Sequence, residues 1–149
     1  MTRSDALQPP EPPELPDVPL GTVAVGWATV ELDRAGQELA GLLVADTSFV
    51  DGPASEILGA RTRLGRLRIA DGRDIWLALL EPHTEGRLAA TLARTGEGWA
   101  ATWAPPMGPR PHVRLSAVRP GPFGPERLLL GDRPAGPHRL VVEVATIRS

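Results

Sequence analysis

Cysteine, lysine, asparagine and tyrosine are all absent from this 149-residue chain. Without cysteine there can be no disulfide, no thiolate nucleophile and no cysteine-ligated zinc. Without lysine there can be no P-loop, no Schiff base and no lysine general base. Alanine, glycine, proline and arginine are used heavily instead, a bias toward GC-rich codons that indicates a high-GC bacterium.

Charge and apolar runs exclude two classes of partner. The formal net charge is -2, so the basic excess that nucleic-acid binding needs is missing. No apolar run approaches the ~20 residues of a membrane span, and the N-terminus has no apolar region of the kind a signal peptide carries. We expect a cytoplasmic protein with neither nucleic acid nor membrane as a partner. The length and the 42% hydrophobic content predict one domain.

The first 20 residues differ in composition from the rest. Prolines recur among acidic residues in a pattern that favours extended polyproline-type chain, at Pro9, Pro10, Pro12, Pro13, Pro16 and Pro19. We interpret residues 1–20 as a flexible tail and residues 21–149 as the folded domain. A ligand for a proline-recognising groove is the alternative interpretation.

Hydrophobic periodicity predicts an α+β domain with a mostly antiparallel sheet. A strand with period-2 alternation runs through residues 22–31, and a helix with Asp33 as its N-cap follows. Two antiparallel strands surround the turn pair Asp71 and Gly72, and a second helix carries Leu88 and Leu92 on its inner face. Four short strands complete the chain, and this element count fits an α+β fold.

Three segments in order resemble the glyoxalase-like, or vicinal oxygen chelate, superfamily. They are VGWATVELDRA, LALLEPHTEGRLAATLARTGEG and GPHRLVVEV, and the similarity covers residues 22 to 146. The resemblance implies two βαβββ modules, about 21–96 and 97–149, whose sheets curl around a shared cavity. It also implies a homodimer formed by pairing of modules. The second module departs from the pattern because PPMGPRP replaces most of its helix.

Enzymes of this family usually hold a divalent metal through one His, Glu or Gln from each of four strands. The resemblance places those positions, to within one residue on the first strand, at Val25, Ala78, Ala101 and Glu143. Valine and alanine offer no lone pair, whereas such an ion needs several oxygen or nitrogen donors. The spacing of His83, His112 and His138 matches no zinc motif. We therefore expect neither a metal nor another cofactor.

The alternation of side chains along each strand then predicts which face of the sheet the tryptophans occupy. Side chains two residues apart on a strand share a face, so the neighbours of the former ligand positions should point into the cavity. This predicts a substrate-binding wall formed by Trp27, Trp76, Trp99 and Trp103, with Thr29 of the same parity and with Ala78 and Ala101 leaving room. A pocket of this kind suits a flat, hydrophobic or aromatic small molecule. The alternative is that the indoles simply fill the barrel.

Glu143 is the candidate catalytic residue. In an aromatic cavity without a nearby cation, desolvation should raise the pKa of its carboxyl toward the range useful for proton transfer. A carboxyl bonded to backbone or arginine, left from a lost metal site, is the structural alternative. The function predicted is small-molecule binding, with cofactorless isomerase, cyclase or lyase chemistry through Glu143, or else non-catalytic drug binding or resistance. The segment PGPFGPERLLLGD is interpreted as a rigid loop capping the cavity.

Overall fold

The structure is a computed structural model that describes residues 13–16, 18–106, 114–130 and 137–142. Within these ranges eight strands form one curled, half-barrel sheet in the order β2-β3-β4-β1-β5-β8-β7-β6. The strands are β1 Ala24–Ala28, β2 Val50–Ser55, β3 Ala60–Arg68, β4 Asp74–Pro82, β5 Gly98–Ala104, β6 Arg114–Leu115, β7 Glu126–Leu130 and β8 His138–Val142. The predicted α+β fold class is confirmed.

The central strands follow a symmetric pairing. β1 and β5 pair antiparallel in the middle of the sheet, β1 pairs parallel with β4, and β5 pairs parallel with β8. Buried side chains form two clusters, one on each side of the sheet. One cluster draws residues from β3 across to β7 and β8, which only the inside of a curled sheet brings together, and we call that side the concave face. The other side is the convex face.

Two α-helices flank the sheet in the described part of the chain. Helix α1, Leu32–Leu39, continues into a 3-10 turn, Ala40–Leu42, and buries Leu32, Ala35 and Leu39 on the convex face. The prediction of Asp33 as its N-cap is wrong, because Glu31 occupies the cap with no side-chain hydrogen bond. The amide of Leu32 instead donates to the Glu81 carboxylate, Oε1, at 3.2 Å, so an acid from β4 satisfies the helix start.

Helix α2, Arg87–Thr95, packs against the concave cluster. Leu88 is fully buried and Leu92 packs beside it, which confirms the predicted inner face. The β3–β4 hairpin around Asp71 and Gly72 is also confirmed, with full register from Ala60 opposite Pro82 to Arg68 opposite Asp74. None of the helices in the described ranges is both long and apolar enough to cross a membrane.

The segment before β1 contacts the folded body earlier than the composition predicts. Leu15 and Val18 pack against the convex cluster, and the backbone carbonyl of Glu14 accepts a 2.7 Å hydrogen bond from Nε1 of Trp99. The predicted boundary at residue 20 is therefore wrong for these residues. Proline content indicates an extended backbone, and an extended backbone can still bury the apolar side chains between its prolines.

Candidate functional site

A β-bulge in β5 separates two of the predicted site residues. Gly26 lies opposite Ala101, and Trp27 lies opposite Trp99, so Ala100 has no partner on β1. One extra residue reverses the alternation beyond it. Trp103 therefore packs in the concave cluster while Trp99 packs in the convex one. The prediction that these indoles share a face is wrong.

The four indoles divide two and two. Trp76 and Trp103 belong to the concave cluster, and Trp27 and Trp99 belong to the convex one. On the convex face the rings of Trp27 and Trp99 meet edge to face, with centroids 5.0 Å apart and planes at 86°. The predicted convergence of all four on one cavity is therefore wrong for this pair. Nε1 of Trp27 is buried and has no hydrogen-bond partner among the described residues.

Three rings form what we call the aromatic cluster of the concave face: Trp76, Trp103 and Phe123. Phe123 meets Trp103 edge to face at 5.1 Å and 73°, and it lies 6.2 Å from Trp76. The guanidinium of Arg66 lies over the Trp76 ring, with Cζ 4.8 Å from the centroid. Ala78 and Ala101 are buried in the same cluster, as predicted from their parity. Phe123 thus occupies the space that the sequence assigned to a ligand.

Beneath this cluster lies a carboxylate that the sequence analysis missed. Glu126, the first residue of β7, has no exposed surface. Its Oε1 accepts from Nε1 of Trp103 at 2.9 Å, and its Oε2 accepts from Oγ of Ser55 at 2.7 Å. Burial raises the pKa of Glu126, and the hydrogen bonds from Ser55, Trp103 and the Ile57 backbone partly oppose that rise. The signal was present in ERLLL, where Glu126 shares parity with the buried Leu128.

The loop before Glu126 closes over the carboxylate. Arg119 and Glu126 exchange backbone hydrogen bonds of 2.8 and 2.9 Å across the turn between them. A Cβ on Gly121 would overlap the Glu126 carboxylate, so only glycine permits this close approach. The loop predicted to cap the cavity thus lies against the Glu126 carboxylate. On its outer side a groove of about 380 Å³ is lined by Val118, Arg119, Pro120, Gly121, Gly124 and Pro125.

The positions that would hold a metal do not fit one. Gly26, Ala78 and Ala101 lie side by side in register on β1, β4 and β5. The first-strand position is Gly26 rather than Val25, because Val25 belongs to the convex cluster. None of the three side chains carries a donor atom. A Cβ on Gly26 would lie 2.7 Å from Cδ1 of Leu80 and 3.0 Å from the Trp103 ring, so the space is already filled.

Metal-binding groups are also missing elsewhere in the part of the chain that the structure describes. No three His, Asp or Glu side chains in these ranges come together in a way that could hold an ion. Glu143, the predicted fourth ligand position and candidate acid or base, lies outside the described residues, as does most of PPMGPRP. On β8 the residue level with Ala101 is His138.

Thr29 joins a polar network and not the aromatic cluster. Its hydroxyl is 2.9 Å from Oε2 of Glu97, which also accepts from the Val30 amide at 2.9 Å. Arg34 of α1 donates to both oxygens of Glu97, at 3.1 and 2.6 Å. The hydrogen bond from Arg34 lowers the pKa of Glu97 to about 2, with the Val30 amide and Thr29 helping. This bidentate pair ties the start of β5 to α1.

Comparison with known proteins shows a likeness in structure only. No protein-family model matches the chain, and no curated protein matches it in sequence. Solved structures do match. A variant of Streptomyces coelicolor methylmalonyl-CoA epimerase in complex with 2-nitronate-propionyl-CoA is 20% identical with a TM-score of 0.66, covering 86% of this chain and 96% of that one. Methylmalonyl-CoA epimerase from Mycobacterium tuberculosis is 21% identical with a TM-score of 0.63, covering 83% and 87%.

A third similar structure is a methylmalonyl-CoA epimerase in complex with methylmalonyl-CoA and NH4+, with 22% identity and a TM-score of 0.63. It covers 86% of this chain and 96% of its own. The likeness shows a shared fold. Methylmalonyl-CoA epimerase is a vicinal oxygen chelate enzyme, so the fold expected from the sequence resemblance is the fold observed. Because the identities are this low, the metal site, the activity and the ligand of this chain must be argued from its own residues.

Proposed function

We propose that this chain is a metal-independent small-molecule-binding protein that takes a flat, hydrophobic molecule at the aromatic cluster of the concave face. The observation that carries the proposal is the Phe123 ring, which lies against Trp103 at 5.1 Å and beside Trp76 at 6.2 Å. An aromatic group already lies between two indoles there, so the surroundings suit a second aromatic group of similar size.

The groove beside the loop supplies a route to this cluster. Its volume of about 380 Å³ falls within the range of ~300–1,000 Å³ usual for small-molecule sites. Gly121 and Gly124 line the groove, and Phe123 lies between them in the chain with its ring turned inward. A ligand held in the groove reaches the indoles by taking the place of the Phe123 ring. Arg119 at the wall offers a charged contact for a polar end of the ligand.

The similar structures support the coarse part of this proposal. Two of them are complexes with 2-nitronate-propionyl-CoA and with methylmalonyl-CoA, so the fold holds small molecules in those proteins. The choice of an aromatic or polyketide-like ligand here comes from this chain's own concave face. Three aromatic rings line that face, and the three adjacent in-register positions carry Gly26, Ala78 and Ala101.

Catalysis by a buried carboxyl is the second candidate function, and one observation favours it. Burial raises the pKa of Glu126, which is the direction that favours a carboxyl as an acid or base in an isomerase or lyase. Both of its oxygens, however, accept hydrogen bonds within the protein, and the residue has no exposed surface. Proton transfer to a ligand would require the 120–125 loop to move, so binding without turnover is the conclusion we prefer. Turnover abolished by Glu126→Gln, with binding kept, would reverse this preference.

Tryptophan fluorescence tests the binding proposal, because the two faces offer matched reporters. Trp76 and Trp99 are both half-buried, the first on the concave face and the second on the convex face. With a panel of aromatic and polyketide-like compounds, Trp99→Phe should keep ligand-induced quenching. Trp76→Phe should lose most of it and weaken binding about tenfold, the effect of ~1.4 kcal/mol of lost ring contact.

Phe123→Ala gives the sharper result, because it should change affinity in the opposite direction. If the Phe123 ring competes with the ligand, its removal should strengthen binding several-fold, about the effect of ~1 kcal/mol. Equal quenching loss in Trp76→Phe and Trp99→Phe would contradict the assignment to the concave face. If no compound in the panel quenches the tryptophan fluorescence even at its highest soluble concentration, the binding proposal is contradicted.

A further inference from the structure

His138 lies at one end of the row of small residues on the concave face. β8 runs parallel to β5, and His138 pairs with Ala101, level with Gly26 and Ala78. It shares parity with Leu140 and Val142, both of which are buried in the concave cluster. Its own side chain is half-buried and meets helix α2. His138 is therefore a polar side chain on the edge of an otherwise apolar face.

Helix α2 gives His138 a hydrogen-bond partner in Thr91. Oγ1 of Thr91 lies 2.8 Å from Nε2 of His138 and 3.1 Å from the carbonyl oxygen of Arg87. When the imidazole is protonated, both of its nitrogens carry a proton, so Nε2–H donates to the Thr91 oxygen and Nδ1–H is a second donor. The contact with Thr91 therefore leaves the protonated ring with one N–H for another acceptor.

Two arginines stand on the same side of α2 as Thr91. Arg87, Thr91 and Arg94 are spaced by four and three residues, which places them on one face of a helix over about two turns. Both arginine side chains are exposed at their ends. Within the described ranges, neither is among the guanidiniums that pair with a carboxylate. Among the described residues, two positive charges thus flank the Thr91–His138 contact with no carboxylate paired to either of them.

We propose that Arg87, Arg94 and His138 bind a phosphate group of a small ligand at the junction of α2 and β8. The guanidiniums supply several N–H donors in the planar geometry that phosphate oxygens accept, and a protonated Nδ1 of His138 supplies one more. A phosphate dianion would balance the two arginine charges. None of these three residues belongs to the aromatic cluster, so phosphate binding can be tested independently of the proposed function.

The titration of His138 gives the proposal a signature. Burial lowers the pKa of His138, and the positive charges of Arg87 and Arg94 lower it further. Those two, both on α2, are the charged groups among the described residues that act on the ring; β5 presents only Ala101 opposite it. A bound phosphate offsets the arginine charges and accepts from Nδ1–H, so it should raise the pKa of His138. By linkage, the protonated ring should bind a given charge state of phosphate more tightly than the neutral ring does.

The test uses the full, isotope-labelled chain and inorganic phosphate at constant ionic strength. Imidazole NMR signals should show that phosphate at about 20 mM raises the pKa of His138 by about half a unit or more, while His83 serves as an internal reference. Arg94→Gln should weaken phosphate binding about tenfold. Arg139→Gln is the matched control, because Arg139 is exposed, adjacent to His138 in sequence and of opposite parity on β8.

Three outcomes would overturn the proposal. They are an unchanged His138 titration in phosphate, an equal loss of binding in Arg94→Gln and Arg139→Gln, and an equal response to sodium malonate, which would indicate general attraction of anions. A phosphate response that survives in a chain unable to bind aromatic compounds would support this site while removing the proposed function.

Discussion

The two faces of the sheet contain the same residue types in different surroundings. Each face carries two tryptophans and one glutamate whose pKa is shifted, downward for Glu97 and upward for Glu126. On the convex face, helix α1 and the segment around Leu15 and Val18 cover the indoles, and Glu97 is ion-paired with Arg34. On the concave face, a glycine-containing loop covers them, and Glu126 is bonded to neutral donors. Both faces bury a hydrophobic core, and they differ in the segments that cover their indoles.

The largest expected difference between the faces is in stability. Trp103 is fully buried and supplies a hydrogen bond to Glu126, so Trp103→Ala should lower the free energy of unfolding by about 3–5 kcal/mol. Trp99 is half-buried and bonds a carbonyl, so Trp99→Ala should cost less, about 1–2 kcal/mol. Urea denaturation measures both. Equal losses would mean that the faces are equally packed.

A pair of glycine substitutions should act in opposite directions. Gly26→Ala places a Cβ 2.7 Å from Leu80 on the crowded concave face and should destabilise by about 1–3 kcal/mol. Gly36→Ala is the control, because it lies within α1 on the convex side and its Cβ would meet Leu79 and Phe49 at an ordinary 3.8 Å. It should stabilise by about 0.5–1 kcal/mol. Thermal melting measures the Tm of both variants. A shift of both Tm values in the same direction would contradict the packing argument.

The smallest effect, and the most diagnostic, is the pH dependence of the two carboxyls. The pKa of Glu97 is about 2 in the folded chain against 4.5 unfolded, so its contribution is present above pH 4.5 and lost as the pH falls toward 2. The pKa of Glu126 is raised, so its contribution is present below pH 4.5 and lost as the pH rises through the folded value.

The stabilities of the two variants, each taken relative to the parent, should therefore change with pH in opposite directions. Glu97→Gln should be less stable than the parent by about 1–2 kcal/mol at pH 7 and equal to it near pH 2. Glu126→Gln should compare better with the parent as the pH rises through the folded pKa of Glu126, because the parent then comes to hold a buried charge. Denaturation midpoints recorded across this pH range give both curves. Parallel curves for the two variants would show that the carboxyls titrate in similar surroundings.

Local signals predicted the parts of the fold that local chemistry decides. The turn at Asp71 and Gly72 follows from the left-handed backbone that Gly72 adopts, with φ of 93°. The inward direction of Leu88 and Leu92 follows from helical spacing. The assignment of Ala78 and Ala101 to one face also held, because the register of β1 with β4 and of β1 with β5 is regular up to that point.

The rest of the site depends on a β-bulge and on contacts between residues far apart in sequence, and the alternation of polar and apolar residues does not locate either of them. The bulge in β5 falls between Ala100 and Ala101, and both are small, apolar and buried, so no change of polarity marks the extra residue. Glycine and proline before Glu126 indicate a loop and the ERLLLG segment indicates a strand, but neither pattern names the partners of its carboxylate. Its burial is decided by Ser55 and Trp103, which lie 71 and 23 residues away in sequence and meet it only in the folded chain.

The close approach of Gly26 to the Trp103 ring also constrains how this chain can change. Any side chain at position 26 competes with the indole for one volume, since a Cβ there lies 3.0 Å from Cζ3 of Trp103. A histidine introduced at position 26 would be tolerated only if residue 103 were smaller, and a smaller residue 103 would remove the indole N–H that donates to Oε1 of Glu126. Either substitution alone should therefore give a less stable protein. A metal-binding side chain at position 26 requires that both positions change together.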